Sequence, residues 1–254
     1  LEQAYGGWYR PGSGRFSGFG DRLLRRTRGR LARRLRQTAP PGPILDLGAG
    51  AGALVEALRQ EGREATGLDP FVSGPQVEKG ELSDQKEGAW AAVVFWHSLE
   101  HLPAPAVALK EAVRLLSPGG VLVVAVPNSA SLQARVFGDR WLALDPPRHL
   151  VHLTSHALQT RLRELGLRIE RVSYLRGGQV VFGWLHGMVG LLPGNPSLYD
   201  AIRRPEARSA PIPAGRRAAI VLAAVLLLPP ALAATALEVS SRRGGTVYVE
   251  ARRT

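Results

Sequence analysis

Residues 44–62 read ILDLGAGAGALVEALRQEG. The stretch opens as a buried apolar strand, turns through Gly48, Gly50 and Gly52, and runs on into a helix. Glycine in such a turn lets the backbone reverse tightly and lets a ligand lie against bare main chain. A strand, a glycine turn and a helix in that order begin an open α/β sheet with its ligand at the strand ends. The loop alone does not name the ligand. Gly48, Gly50 and Ala53 also satisfy the dinucleotide pattern G-x-G-x-x-A, which leaves a nicotinamide or flavin cofactor open. Two carboxylates bear on the choice. Asp46, two residues before the first glycine, would repel a pyrophosphate and suit a cationic ligand. Asp69, closing the next apolar run in EATGLDP, can accept from both hydroxyls of a ribose, a device both cofactor classes use.

Working outward, short apolar runs alternate with amphipathic helices. Strands are expected at 43–48, 64–69, a short 76–81, 90–97, 120–127 and 167–175. A last strand falls in GGTVYVEARRT, where Val247, Val249 and Ala251 alternate with outward residues. A helix over 105–116 carries the stripe Ala106, Leu109, Val113 and Leu116 and stops at Ser117-Pro118-Gly119-Gly120. Another, 155–165, starts after Thr154, aligns Leu158, Leu162 and Leu165, and ends at Gly166. The expected fold class is α/β, a doubly wound, mostly parallel sheet with helices on both faces.

The chain divides into an N-terminal arm and basic helix (1–40), an α/β core (41–175), an apolar helical insertion (176–243) and the last strand (244–254). Residues 1–20 hold Gly and aromatic residues without period and read as an irregular arm with no signal-peptide pattern. Residues 21–37 set Leu24, Leu31 and Leu35 on one stripe among eight arginines. In the insertion, residues 218–237 form an apolar run that Pro229-Pro230 splits into parts of 11 and 7 residues, each too short to cross a bilayer. A bent, shallow helical pair is expected there. Trp184, Leu185, Met188, Leu191 and Leu192 form a second apolar stretch. Arg203, Arg204, Arg208, Arg216, Arg217, Arg242 and Arg243 flank the run, and Lys and Arg number 33 against 21 acidic residues, a net +12. An anionic membrane surface is one partner these features suit; packing on the sheet or a homodimer contact is the other. Cysteine is absent, which excludes disulfides, thiolate metal sites and a Cys nucleophile and accords with a cytoplasmic compartment, peripheral on the inner face of the membrane.

ILDLGAGAG, TGLDP, VVFWHSLEHLPAP and LLSPGGVLVVAVPN, in that order and spacing, resemble the class I S-adenosylmethionine (SAM)-dependent methyltransferases. The likeness is to the group that includes ubiquinone and menaquinone biosynthesis enzymes and methyltransferases of polysaccharide clusters. It covers residues 43–175 and the last strand. The resemblance implies a seven-stranded, Rossmann-like SAM methyltransferase sheet in which the strands near 167–175 and 245–253 are antiparallel neighbours. It implies SAM as cofactor, S-adenosylhomocysteine as product, and a small-molecule, lipid-linked or sugar-linked acceptor methylated at oxygen. By the same resemblance, Asp46, Gly48, Ala49 and Gly50 border the methionine part of SAM, and Asp69 with Pro70 takes the ribose. Glu81 with Leu82 takes the adenine, with Asp84 as the alternative to Glu81, and Trp96 and His97 meet the cofactor from the fourth strand's end.

SAM brings its own electrophile, so the protein must chiefly align a nucleophile in a dry pocket. A hydroxyl acceptor gains from a general base, and histidine suits neutral pH. All six histidines lie between 97 and 186, and the segment LDPPRHLVHLTSHAL holds Arg148, His149, His152 and His156 in a strand-end loop. In related chains a similar stretch lies over the acceptor. His149 is the candidate base, with Arg148 or Asp145 orienting it; the alternative is that His149 and His152 only bond the loop in place. His97, Glu100 and His101 are read as shaping the pocket. The sequence holds no His-Glu-x-x-His, carboxylate cluster or Ser nucleophile elbow, so no metal is expected. Two other functions stay open: a noncatalytic SAM-fold protein binding RNA or membrane through its basic surface, and an NAD-dependent oxidoreductase. Phe95-Trp96-His97-Ser98 stands where a base-flipping motif would end the fourth strand, which argues against nucleic acid.

Overall fold

Why the strands read as unbroken apolar runs is plain from their two covered faces. The computed structural model describes residues 19–70, 74–175 and 178–254; the expected arm lies mostly in 1–18, outside the described residues. Seven strands, β1 (Ile44–Leu47), β2 (Ala65–Leu68), β3 (Val77–Glu78), β4 (Trp90–Trp96), β5 (Leu116–Pro127), β6 (Leu167–Ser173) and β7 (Thr246–Arg253), form one sheet in the order β3-β2-β1-β4-β5-β7-β6. The first five are parallel, and β7 lies antiparallel between β5 and β6. The chain leaves β1 to one side for β2 and returns to its other side for β4. That reversal opens a crevice at the strand ends, the place where such sheets bind ligands.

Side chains alternate across the sheet with period two. Leu45, Leu47, Val93, Phe95, Leu122 and Val124 face a cluster completed by helices α3 (Pro105–Leu115) and α5 (Ser155–Glu164). Ile44, Val94, Val121 and Val123 face the other, where Leu31, Ala32 and Leu35 of α1 (Phe19–Thr38) meet Leu54, Val55 and Leu58 of α2 (Ala53–Gln60). The basic helix is thus anchored by its leucine stripe. Arg34 also donates through its Nε and Nη2 to Glu250, a buried carboxylate on β7 that Tyr248 Oη also donates to.

Several boundaries depart from the sequence reading, most visibly at β3, at the α3–β5 junction and at β6. β3 keeps two residues, because after Val77 the chain turns to charged and glycine residues with nothing to bury. α3 stops at Leu115, and Leu116, expected on its stripe, instead pairs with Trp90 of β4. The strand then absorbs Ser117–Gly120 through a register shift, and Gly119 takes a φ of 72°. β6 ends at Ser173, two residues early.

Between β6 and β7 stand α6 (Gln179–Gly190), α7 (Leu198–Ile202), α8 (Ala214–Leu226) and α9 (Leu228–Ser240). The last two break at Leu227 with axes 52° apart, and among the described residues no single helix is long and apolar enough to cross a membrane. Pro229 and Pro230 fall in the first turn of α9, where missing amide donors cost nothing. α6 rests on the short α4 (Leu132–Phe137), and Gly187 makes that approach: a Cβ there would stand 2.4 Å from the Phe137 ring. Buried Glu238 on α9 ties the group together, accepting from Gln133 N at 2.9 Å, Gln133 Nε2 at 2.8 Å and Trp184 Nε1 at 2.9 Å. Arg203, expected among the flanking surface charges, is instead buried, its guanidinium 5.0 Å over the Tyr199 ring and 3.7 Å from Asp200.

Candidate active site

The crevice at the β1–β4 reversal gathers residues from four strand ends. Gly48 turns the chain out of β1 with a φ of 70°, and a Cβ there would press to 2.5 Å from that of Ser98, which follows β4. Ser98 Oγ in turn donates to the Leu47 carbonyl at 2.5 Å, locking the two strand ends together. The sequence reading named Ser98 only as part of Phe95-Trp96-His97-Ser98 and gave it no role in the site.

Asp46 is buried, and its Oδ1 has no hydrogen-bond partner. Burial pushes this carboxyl up to about 7; the charge of Arg28 on α1 opposes the rise and that of Asp69 adds to it. A buried acid next to a bare glycine turn is a receptor for a positive ligand, and an amino acid carrying ammonium and sulfonium groups fits it. Asp69, also buried, accepts from Gly50 N at 3.0 Å. Pro70 beside it is exposed. Ala49 is half-buried beside the core, and Trp96 stands edge-on to His97 with ring centres 6.1 Å apart.

Glu81 and Asp84 lie exposed beyond β3 and cap one another's turn, so both of the alternatives for the adenine end are engaged locally. Leu82 packs against the core, and its carbonyl accepts from Arg114 Nη2 at 3.3 Å.

A second group forms where β4 ends. His97 takes a left-handed φ of 55°, and its Nδ1 stands 3.4 Å from Oε1 of buried Glu100. The loop after α4 folds over this carboxylate, with Leu150 N and Val151 N donating to the Glu100 carbonyl at 2.9 and 3.2 Å. His149 Nδ1 meets the Ala143 carbonyl at 2.7 Å, leaving Nε2 to face Glu100 Oε1 at 3.9 Å and Asp145 Oδ2 at 3.8 Å. A carbonyl can only accept, so Nδ1 carries the proton and Nε2 the lone pair when the ring is neutral. Burial, against the pull of Glu100, holds His149 below the ordinary imidazole range. Burial raises the Glu100 carboxyl, but the His97 and His149 imidazoles that face it outweigh that effect and bring it below the usual carboxylate value.

Arg148 donates to Asp145 through Nε at 3.2 Å and through Nη2, and its carbonyl faces His101 Nδ1 at 2.9 Å. His152 Nε2 meets the Leu144 carbonyl at 2.9 Å on the exposed side, so it fastens the loop. The fold does assemble what no spacing announced: ligand atoms of Glu100, His101 and His149 lie within 4.8 Å of one another, a set that could share a cation.

A family model described as a methyltransferase domain matches residues 19–172. A ubiquinone biosynthesis O-methyltransferase of Xanthomonas axonopodis pv. citri (strain 306) is 29% identical over 153 residues, covering 51% of this chain and 64% of that protein. The protein of the same name from Alkalilimnicola ehrlichii is 33% identical over 102 residues, 34% of this chain and 41% of that one. The chain therefore spans less than two thirds of the length of these relatives. Among solved structures, a SAM-dependent methyltransferase from Archaeoglobus fulgidus is similar with a TM-score of 0.54 at 17% identity, over 92% of this chain and 100% of that one. The [4+2]-cyclase SpnF is similar at 0.54 and 19% identity, over 100% and 90%. One fold thus serves different chemistries, and it is the family match that removes the dinucleotide alternative left by the glycine loop.

Proposed function

The chain belongs to the methyltransferase-domain family, of the class I SAM-dependent type, and from there we propose that it transfers a methyl group to a hydroxyl oxygen of a small-molecule, lipid-linked or sugar-linked acceptor. The observation that carries the oxygen is the oriented His149, whose Nδ1 is occupied by a carbonyl and whose Nε2 looks towards Glu100. The O-methyltransferase name of the relatives supports the same atom.

SAM supplies a methyl carbon already activated on a sulfonium. Asp46, Gly48, Ala49 and Gly50 would hold its methionine part and Asp69 its ribose. His97 and Trp96 close the cofactor side at the end of β4. A hydroxyl seated there would bond to the methyl carbon as the carbon–sulfur bond breaks and S-adenosylhomocysteine leaves, while its proton would pass to His149 Nε2, whose imidazolium ionised Glu100 would steady. Asp145, fastened by Arg148, keeps the loop in position. Proton and methyl thus change places on one oxygen, and no further reagent is required.

Incubation with methyl-labelled SAM and a panel of phenols, catechols, sugar alcohols and amines tests the proposal. Label on oxygen, found by mass spectrometry, is the expected result. Label confined to nitrogen or carbon would remove His149 from the role of base, and no transfer to any probe or cell extract would favour a noncatalytic protein.

A further inference from the structure

The opposite faces of α8 and α9 differ sharply. Ile220 and Ala224 of α8 and Ala231, Thr235 and Glu238 of α9 are buried against the rest of the insertion. Val221, Leu222, Val225, Leu226, Leu228, Leu232 and Leu237 are exposed, Leu226 by 70%, Leu237 by 63% and Leu222 by 59%. From Val221 to Leu232 a spacing of three and four residues carries an apolar face across the 52° bend at Leu227, and Leu237 stands farther along α9. No charged residue occurs from 218 to 237. Arginines stand at both limits, with Arg216 and Arg217 exposed at the start of α8 and Arg242 and Arg243 exposed after α9. A contiguous apolar face of this kind marks a contact surface.

We propose that the α8–α9 face docks the protein on an anionic lipid surface, lying in the headgroup plane rather than crossing it. Each helix has 13 residues, about 20 Å of length at the usual rise, against a hydrocarbon core about 30 Å thick. The segment also leaves from β6 and returns to β7, hydrogen-bonded neighbours in one sheet, so its two ends stay on the same side. Charge selects the occupant. Both ends of the stripe are basic, so a second copy laid on it in either direction sets guanidinium against guanidinium, whereas a plane of anionic headgroups satisfies both ends at once. Behind the docked face, Ala231 of α9 and Trp184 of α6 share a buried cluster with Trp141, at the start of the His149 loop, so α9 packs on that loop's side of the molecule.

Cosedimentation of the purified chain with vesicles of phosphatidylcholine, alone or mixed with phosphatidylglycerol, decides the matter. Binding to the mixed vesicles that falls with salt, and that drops at least tenfold in the triple variant Leu222→Glu, Leu226→Glu, Leu232→Glu, is expected. The three side chains are exposed, so the variant should keep its melting temperature; Arg216→Gln with Arg242→Gln is a second variant that leaves the apolar face intact and should weaken only the salt-sensitive part. Absence of binding at low salt, or binding that the triple variant leaves unchanged, overturns the proposal. A dimer in solution that the triple variant dissociates overturns it too, assigning the face to a second copy. None of these readouts depends on methyl transfer.

Discussion

Gly50 N donates to Asp69 Oδ2 across 3.0 Å, so one carboxylate joins the glycine turn after β1 to the end of β2. The same group is expected to hold the ribose hydroxyls with its remaining lone pairs. Asp69→Ala therefore removes both the ligand contact and the brace of the turn, and should weaken SAM binding by about 1.5 to 3 kcal/mol. Isothermal calorimetry measures this, and unchanged affinity would reject the assignment.

Asp46 gives a pH signature. Its folded value of about 7 stands above the ordinary 3.8 of an aspartate, so the fold favours the protonated acid. The stability this contributes is whole below the unfolded value and is lost as pH rises to about 7, on the order of 4 kcal/mol for a fully buried group. A cationic ligand needs the ionised form, so SAM affinity should rise over the same interval. Asp46→Asn should flatten both profiles; melting curves and calorimetry from pH 5 to pH 8 would show it. If the variant bound NAD instead, the ligand assignment would be wrong.

His149→Ala should slow methyl transfer roughly a hundredfold while leaving SAM affinity almost unchanged. Because burial holds the imidazole below its ordinary range, the wild-type acid limb of kcat/KM should lie below pH 6.5. A variant with full turnover would assign the loop to shape rather than proton transfer.

Glu238→Ala strips the shared acceptor from Gln133 and Trp184 within the buried contact of α4, α6 and α9. Leaving those donors unpaired should cost about 2 to 4 kcal/mol, read from the denaturant midpoint. Glu238→Gln keeps one acceptor oxygen and should lose less. Equal stability of all three proteins would show that water replaces the carboxylate.

Gly187→Ala sets a methyl against the Phe137 ring, and α6 can shift only by disturbing Trp184, which stacks edge-on to that ring at 5.2 Å. A loss of about 1 to 3 kcal/mol in thermal or chemical unfolding is expected, with SAM affinity preserved.

The sheet, the order of its first units and the glycine turn were legible from residue order alone. Those follow from local rules: buried strands are apolar on both faces, amphipathic helices repeat at three and four residues, and a tight turn against a ligand demands glycine. Ile44 to Gly62 carries all three signals within one stretch. The places of Asp46, within β1, and Asp69, just after β2, were legible for the same reason. Boundaries fared less well where packing overrode local pattern, as at Leu116, which fits a helix stripe but pairs with Trp90. The rest depended on how the elements pack. That Asp46 is buried with Oδ1 lacking a hydrogen-bond partner, that Ser98 locks β1 to β4, that Glu100 lies beside His97 and His149, and that Glu238 gathers Gln133 from 105 residues away all depend on segments remote in the chain. Residue type and spacing record what a segment can bury; which partner it meets, and so what charge it carries, is fixed only when the sheet brings the segments together.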